Sequence, residues 1–232
     1  GLTLVVTYDN GKLSKVVTRG DGHVGTNITH LSTAIQGIPQ TISEKGHLVI
    51  RGEAVISYED FNQFVMESGE DYANPRNLAS GSLTLKDIEE VKRRQIHWIP
   101  FTLVYTEEEI TSWGKRMDYM EKLGFQVVER ECVEHPTLAN INAEIDRFTK
   151  KVTNAYPVDG LVVVYDDTEY AAGGSITGHH ATRAGFAFKW QDESVLSKLE
   201  HIEWSCAAST ITPVAVFTPV EIEGTTIKRA SL

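Results

Sequence analysis

Asn10-Gly11 stands between two alternating apolar runs, and this leaves the start of the chain few ways to fold. Both positions of a two-residue hairpin turn need positive φ, which Asn and Gly supply. Leu2, Leu4 and Val6 alternate with Thr3, Val5 and Thr7 ahead of the turn, and "KLSKVVT" resumes after it. The pattern predicts an antiparallel hairpin with a strand already under way at Gly1.

Further elements follow. "HLVIRGEAVI" (47–56) and "HWIPFTLVY" (97–105) are strands, and Pro100 points to a bulge or an edge in the second. "YEDFNQFVMES" is a short helix, and "TLKDIEEVKRRQI" is a charged amphipathic one. "EEEITSWGKRMDYMEKLG" is expected to be a helix with acids in its first turn and Gly124 past its end. "LANINAEIDRFTKKV" is a further helix, and "DGLVVVYDD" and "GFAFKW" are strands. After about residue 200 only short β runs remain: "EHIEW", "ITPVAVFTPVEI" and "TTIKRASL". Hairpin-linked strands mixed with helices imply a largely antiparallel α+β domain. The change of texture places a second, all-β domain at 200–232 after a first at 1–199.

The net charge of −10 argues against a bulk electrostatic grip on nucleic acid. It leaves room for a local basic pocket that takes a nucleotide. No apolar run has membrane-spanning length. Cys132 and Cys206 lie far apart and fit a reduced compartment.

Five stretches carry candidate chemistry. "TRGDG" puts Arg19 and Asp21 among glycines after a strand, where a backbone can approach phosphate or ribose; a solvated turn is the other reading. In "IRGEAVI", Arg51, Glu53 and Val55 share a strand face. A Glu in an apolar strand needs a partner or solvent. It suits a carboxylate receiving ribose hydroxyls or a metal-bound water, or else an Arg–Glu pair on an open face. "YANPRNLASGSL" is a loop feeding a helix, with Arg76 placed for a phosphate and Asn74 and Asn77 either fixing the loop or capping the helix. "GFAFKW" sets Phe186, Phe188 and Trp190 on one face and Gly185, Ala187 and Lys189 on the other. Lys189 there either reaches into a cavity or snorkels at the surface. "PVDGLVVVYDD" opens a strand at Asp159-Gly160, which alone is a turn. His179-His180 point to opposite faces in an extended chain and make no shared metal site.

In their order along the chain, "VVTRGDGHVGTNIT", "LVIRGEAVI", "FNQFV", "ANPRNLASGSL", "VDGLVVVYDD", "FAFKW" and "ITPVAVFTPVEIEGTTIKRASL" resemble the adenylation domain of bacterial NAD-dependent DNA ligases. The resemblance implies a nucleotidyltransferase fold (ATP-grasp-like), with antiparallel sheets flanked by helices and an active cleft between two sheets. The start of an oligonucleotide-binding barrel would follow. Gly1 matches the end of the family's K-x-D-G, so the nucleophilic lysine falls three positions ahead of the first residue given. The implied reaction moves AMP from NAD to that lysine, then to the 5′-phosphate of a DNA nick, which the 3′-hydroxyl seals. Lys189 and Glu53 are the implied catalytic residues. Arg19, Glu53, Arg76, Phe101, Asp159 and Lys189 form the implied nucleotide-binding set, with Phe101 stacking on adenine. Glu53 also holds Mg²⁺ through water, and zinc belongs to family regions beyond this sequence. The resemblance further implies nicked double-stranded DNA as partner, a monomer, a bacterial cytoplasmic setting at the nucleoid, and a role in replication and repair.

The sequence departs from the family pattern at cationic positions. Val164 stands where a phosphate-side lysine is expected, Thr84 where a second arginine is, and Ala207 where a DNA-contacting arginine is. The alternative reading is therefore an impaired or non-catalytic nucleotide-binding domain of the same fold. ATP-dependent ligases and mRNA-capping guanylyltransferases share K-x-D-G but lack the "ANPRNLASGS" stretch.

Overall fold

The computed structural model describes residues 1–20, 24–152, 155–173, 185–189, 194–206, 210–222 and 225–232. The chain divides into two compact units, Gly1–Lys189 and Trp190–Leu232.

The first unit is organised by a four-stranded antiparallel sheet of order β2-β1-β3-β4, from β1 (Leu2–Asp9), β2 (Lys12–Thr18), β3 (Leu48–Val55) and β4 (His97–Tyr105). The β1–β2 hairpin closes at Asn10 and Gly11 with φ of 51° and 74°, and Asp9 faces Lys12 across it. The two-residue turn is thus the one the Asn-Gly pair specifies. β4 is an edge strand, and its register against β3 slips twice. Both signals at Pro100 are present: a proline without a donor tolerates the edge, and the slip leaves Phe101 as the extra residue between Pro100 and Thr102.

One face of this sheet is buried. Leu4, Val6, Tyr8, Ile50, Ala54 and Trp98 point into a core completed by helices. These are α1 (Tyr58–Ser68), α2 (Pro75–Ser82), α3 (Ile88–Arg93) and α4 (Trp113–Lys122), with the 3₁₀ turn Thr29–Ala34. Each helix begins where a side chain accepts a free amide: Ser57, Asn74, Asp87 and Ser112 are the N-caps. α4 starts later than the expected 107. Ser112 accepts from Lys115 N, and the acids Glu107–Glu109 lie outside the helix, with Glu107 receiving the amide of His47. The cap decided the boundary, not the acidic run. α3 is likewise shorter than "TLKDIEEVKRRQI", because Asp87 accepts from Glu89 and Glu90 and starts the helix there.

A second, two-stranded antiparallel sheet pairs β5 (Gly160–Val164) with β6 (Gly185–Lys189). In chain order α5 (Leu138–Val152) precedes β5, and α6 (Thr168–Ala172) follows it. The second unit is a three-stranded antiparallel sheet, β7 (Leu199–Cys206), β8 (Ile211–Ile222) and β9 (Thr225–Ser231), in that order. Val214 and Ala215 are its buried residues among those described. No helix among the described residues is long and apolar enough to cross a membrane.

Gly52 is where the sheet and the core press most closely. A Cβ there would lie 2.6 Å from Trp98 Cε2 and Nε1 and 2.7 Å from Ile99 O. Trp98 is fully buried and cannot swing aside. Gly52→Ala is therefore expected to cost about 1–3 kcal/mol through overpacking. Thermal denaturation reads this as a fall of roughly 2–4 °C per kcal/mol.

Candidate active site

The sheet face opposite the core is half-exposed and arranged in cross-strand rows. Thr3 faces Glu53, which faces Ile99, and Arg19 N donates to Thr3 O at 3.0 Å. One row along, Val17, Val5, Arg51 and Thr102 follow. Alternation puts Glu53 and Arg51 on this open face, about 6.7 Å apart along the strand. The two do not pair: neither a hydrogen bond nor an ion pair joins them among the described residues.

Glu53 instead is fixed from β1. Thr3 Oγ1 donates to Glu53 Oε2 at 2.9 Å, and Glu53 Oε1 lies 4.0 Å from the Gly1 nitrogen. A Cβ at Gly1 would sit 2.6 Å from both Glu53 Cγ and Oε1. Only a glycine lets the backbone run this close to the carboxylate. Thr3 was invisible as a site residue in the sequence, whereas Gly1 is marked by its match to the end of K-x-D-G. The one signal was that Thr3 shares the alternation phase of Glu53 in paired strands.

Gly1 marks where several elements approach one another: its position lies within electrostatic reach of Glu53, Arg76 and Asp159. Glu53 comes from β3, Arg76 from the first turn of α2 and Asp159 from the residue before β5. Asn74 Oδ1 accepts from Asn77 N at 2.9 Å and starts α2, so Arg76 emerges at its N-terminal end, exposed. Both sequence readings of Asn74 thus describe one arrangement: the cap and the placement of Arg76 are the same feature.

Lys189 joins through Asp159. Its Nζ lies 3.3 Å from Asp159 Oδ2, with both side chains exposed. Gly160 pairs with Lys189, and a Cβ at Gly160 would meet Phe188 O at 2.3 Å, so the glycine permits this close crossing. Cross-strand pairing puts Lys189, Ala187, Gly185, Gly160, Val162 and Val164 on one face, and Phe186, Phe188, Leu161 and Val163 on the other. The loop ahead of Asp159 is tied to the start of α1 and to β4. Tyr58 N donates to Ala155 O at 3.1 Å, and Tyr156 packs edge-on against His97, centroids 6.2 Å apart. His97 in turn lies 3.3 Å from Asp60 Oδ2. None of these ties was legible in the sequence.

Two members of the expected set stand apart from this meeting point. Phe101 is the half-buried bulge residue of β4, between the rows of Glu53 and Arg51. Arg19 is exposed just beyond β2, in Glu53's row with Thr3 between them. Thr84 follows α2, its hydroxyl donating to Gly81 O at 2.7 Å. Asp21, His179, His180, Trp190 and Ala207 lie outside the described residues. Among those described, no group of three or more His, Cys, Asp or Glu could hold a metal. A concavity at the far end of β4, lined by Tyr105, Glu108, Glu109, Arg116 and Glu169, is acidic and suits a polyanion poorly.

The arrangement offers an acceptor (Glu53) on the open sheet face, two cations (Arg76 and Lys189) on other elements of the same unit, and a planar ring (Phe101) at the β4 bulge. Comparison with known proteins gives it a context. The sequence profile of the NAD-dependent DNA ligase adenylation domain matches residues 1–193. A DNA ligase of Lachnoclostridium phytofermentans is 40% identical over 239 residues, covering 100% of this chain and 36% of that protein. A DNA ligase of Ruminiclostridium cellulolyticum is 38% identical with the same coverage, and one of Lactobacillus acidophilus is 35% identical, with 35% of its length covered. The chain spans about a third of the length of these relatives.

Proposed function

Because the chain belongs to the NAD-dependent DNA ligase adenylation-domain family, we propose that it carries the nucleotide pocket of an enzyme that takes AMP from NAD to seal DNA nicks. In this reading residues 1–199 form a nucleotidyltransferase domain, and 200–232 begin an oligonucleotide-binding barrel. The three-stranded antiparallel sheet at 199–231 supports the second assignment.

The reaction begins with a lysine placed three positions ahead of Gly1 in the longer protein. Its nitrogen attacks the adenylyl phosphorus of NAD, a P–N bond forms, and nicotinamide mononucleotide leaves with the electron pair of the broken P–O bond. The residues of this chain bind and orient. Glu53, already an acceptor for Thr3, has acceptor capacity left for ribose hydroxyls. Arg76 and Lys189 hold positive charge where negative charge grows on the phosphate. Phe101 supplies a flat surface for adenine, and the bulge sets it between rows. Arg19 extends Glu53's row as a further phosphate contact.

Mg²⁺ normally keeps several waters and takes one or two carboxylates plus substrate phosphates. Glu53 is a single carboxylate without a surrounding ligand cluster among the described residues, which fits a water-held Mg²⁺ and not a protein cage. When bound, the ion would supply charge neutralisation at the phosphate.

The observation that carries the reading is Glu53, oriented by Thr3 on the open sheet face beside Gly1, with Lys189 held by Asp159 where β5 and β6 pair. The test incubates the full-length protein with adenine-labelled NAD and maps the labelled residue. A lysine–AMP adduct three positions ahead of Gly1 is expected; no adduct overturns the proposal. DNA as partner rests on the same reading. With a charge of −10 in this piece, the grip on DNA falls to other parts of the protein. A monomeric cytoplasmic enzyme of replication and repair is the setting it implies.

Val164 favours a second reading, that of a weakened enzyme. It lies on Lys189's face of the β5–β6 hairpin, at the opposite end from Lys189. The family pattern's lysine at that position would add a cation to the same surface. Val164→Lys is expected to raise the adenylation rate several-fold in the full-length protein, read as the rate of label incorporation. An unchanged rate would mean other cations already serve there.

A further inference from the structure

Arg94 caps α3 and is 6% exposed, the most deeply buried charge among the described residues. A guanidinium at such depth is tolerated only with partners on all sides. Its Nε and one terminal nitrogen donate to Glu90 Oε1, both at 3.3 Å, and that nitrogen lies 3.8 Å from Glu70 Oε2. The other terminal nitrogen donates to Tyr72 Oη at 3.2 Å and to Ser82 Oγ at 3.4 Å. Its guanidinium carbon lies over the rings of Phe64 and Tyr72, 5.2 and 5.6 Å from their centroids.

The partners fall in a pattern. Glu70 and Tyr72 precede α2, and Ser82 is its last residue, whose own hydroxyl donates to Leu78 O at 2.5 Å. One guanidinium therefore grips residues 70–82 at both ends. Pro75, Leu78, Ala79 and Ser82 face the core, which fixes the roll of the helix and leaves Arg76 outward. A hydrophobic residue at 94 would satisfy burial equally well. It would not hold the loop before α2 and the end of α2 to one point.

We propose that Arg94 is a positioning residue that holds Arg76 toward the Glu53 site by bracketing the segment 70–82. Its effect on catalysis rests on the ligase reading; the bracket itself does not. Lysine cannot replace it, because a point charge lacks the fork that reaches Tyr72, Ser82 and Glu90 together.

Two measurements on the full-length protein test this. In amide hydrogen exchange, Arg94→Lys is expected to speed exchange at 75–83 by tenfold or more, while amides of β1 and β3 keep their protection. Equal loss across the sheet, or no local loss, overturns the proposal. Should Arg94→Lys fail to fold, Tyr72→Phe removes one hydroxyl contact of the guanidinium and leaves the Ser82–Leu78 bond in place, and a smaller loss confined to the same amides is expected; no local loss overturns the proposal. In adenylation kinetics, Arg94→Lys is expected to lower kcat/KM for NAD about tenfold, and to have no such effect when Arg76 is already alanine. An equal loss in both backgrounds assigns Arg94 a merely structural role and overturns the proposal. If the parent protein forms no adduct with NAD, the ligase reading fails, and exchange alone decides the bracket.

Discussion

Lys189→Ala in the full-length protein is expected to slow adduct formation with NAD by about 10²–10³-fold while leaving the melting temperature nearly unchanged. The kinetic half follows from position. Lys189 ends β6, and its pairing with Gly160 sets it beside Asp159. A cation there acts on charge that appears only in the transition state, so its loss falls on kcat more than on KM. The stability half follows from exposure. Lys189 and Asp159 are 64% and 76% exposed, and solvent-screened pairs of this kind contribute little to folding. Single-turnover label incorporation and a thermal melt on the same sample separate the two. A large loss of stability with proportionate loss of rate would make Lys189 a support of the hairpin and remove it from the proposed chemistry.

The parts of the fold written in local chemistry were legible from sequence, and the parts written in tertiary contact were not. Asn10-Gly11 announced its hairpin because the turn requires positive φ at both positions, a demand few residue pairs meet. Pro100 announced its bulge and its edge for the same kind of reason, a missing donor. The face shared by Arg51 and Glu53 followed from period two alone. The start of α4 did not follow from the acids ahead of it, because Ser112 competed for that role and its own hydroxyl bonds Asp166, more than fifty residues away.

At the candidate site, the sequence supplied the residue types and the structure supplied the partners of two of them, Thr3 for Glu53 and Asp159 for Lys189. Glu53, Arg76, Asp159 and Lys189 were each ambiguous because each has an ordinary surface role. Glu53 was expected to pair with Arg51 if its role were structural. Its partner is Thr3, which sequence distance hides, and Gly1 approaches it so closely that a side chain there would have to displace the Glu53 carboxylate. The buried Arg94 had no signal at all: it lies in a run of charges, "KRR", of which only one turns inward.

Glu53 is the residue whose two proposed duties differ most in chemistry, and a pair of substitutions divides them. Glu53→Ala removes both the acceptor and the charge, and is expected to lower the adenylation rate on the order of 10²-fold or more. Folding should survive it, because Thr3 Oγ1 is partly exposed and can turn to water, at a cost of about 1 kcal/mol. Glu53→Gln keeps an oxygen acceptor for Thr3 and for a ribose hydroxyl but removes the charge. If ribose binding is the main duty, the glutamine variant keeps most of the rate and KM for NAD stays near the parent's. If holding a hydrated Mg²⁺ dominates, it falls nearly as far as alanine, and raising Mg²⁺ recovers part of the loss, since a neutral amide is a poorer outer partner for the cation. If the alanine variant unfolds, Glu53 belongs to the architecture of the sheet. Its closeness to Gly1 would then reflect packing, with the ribose and metal duties lying elsewhere.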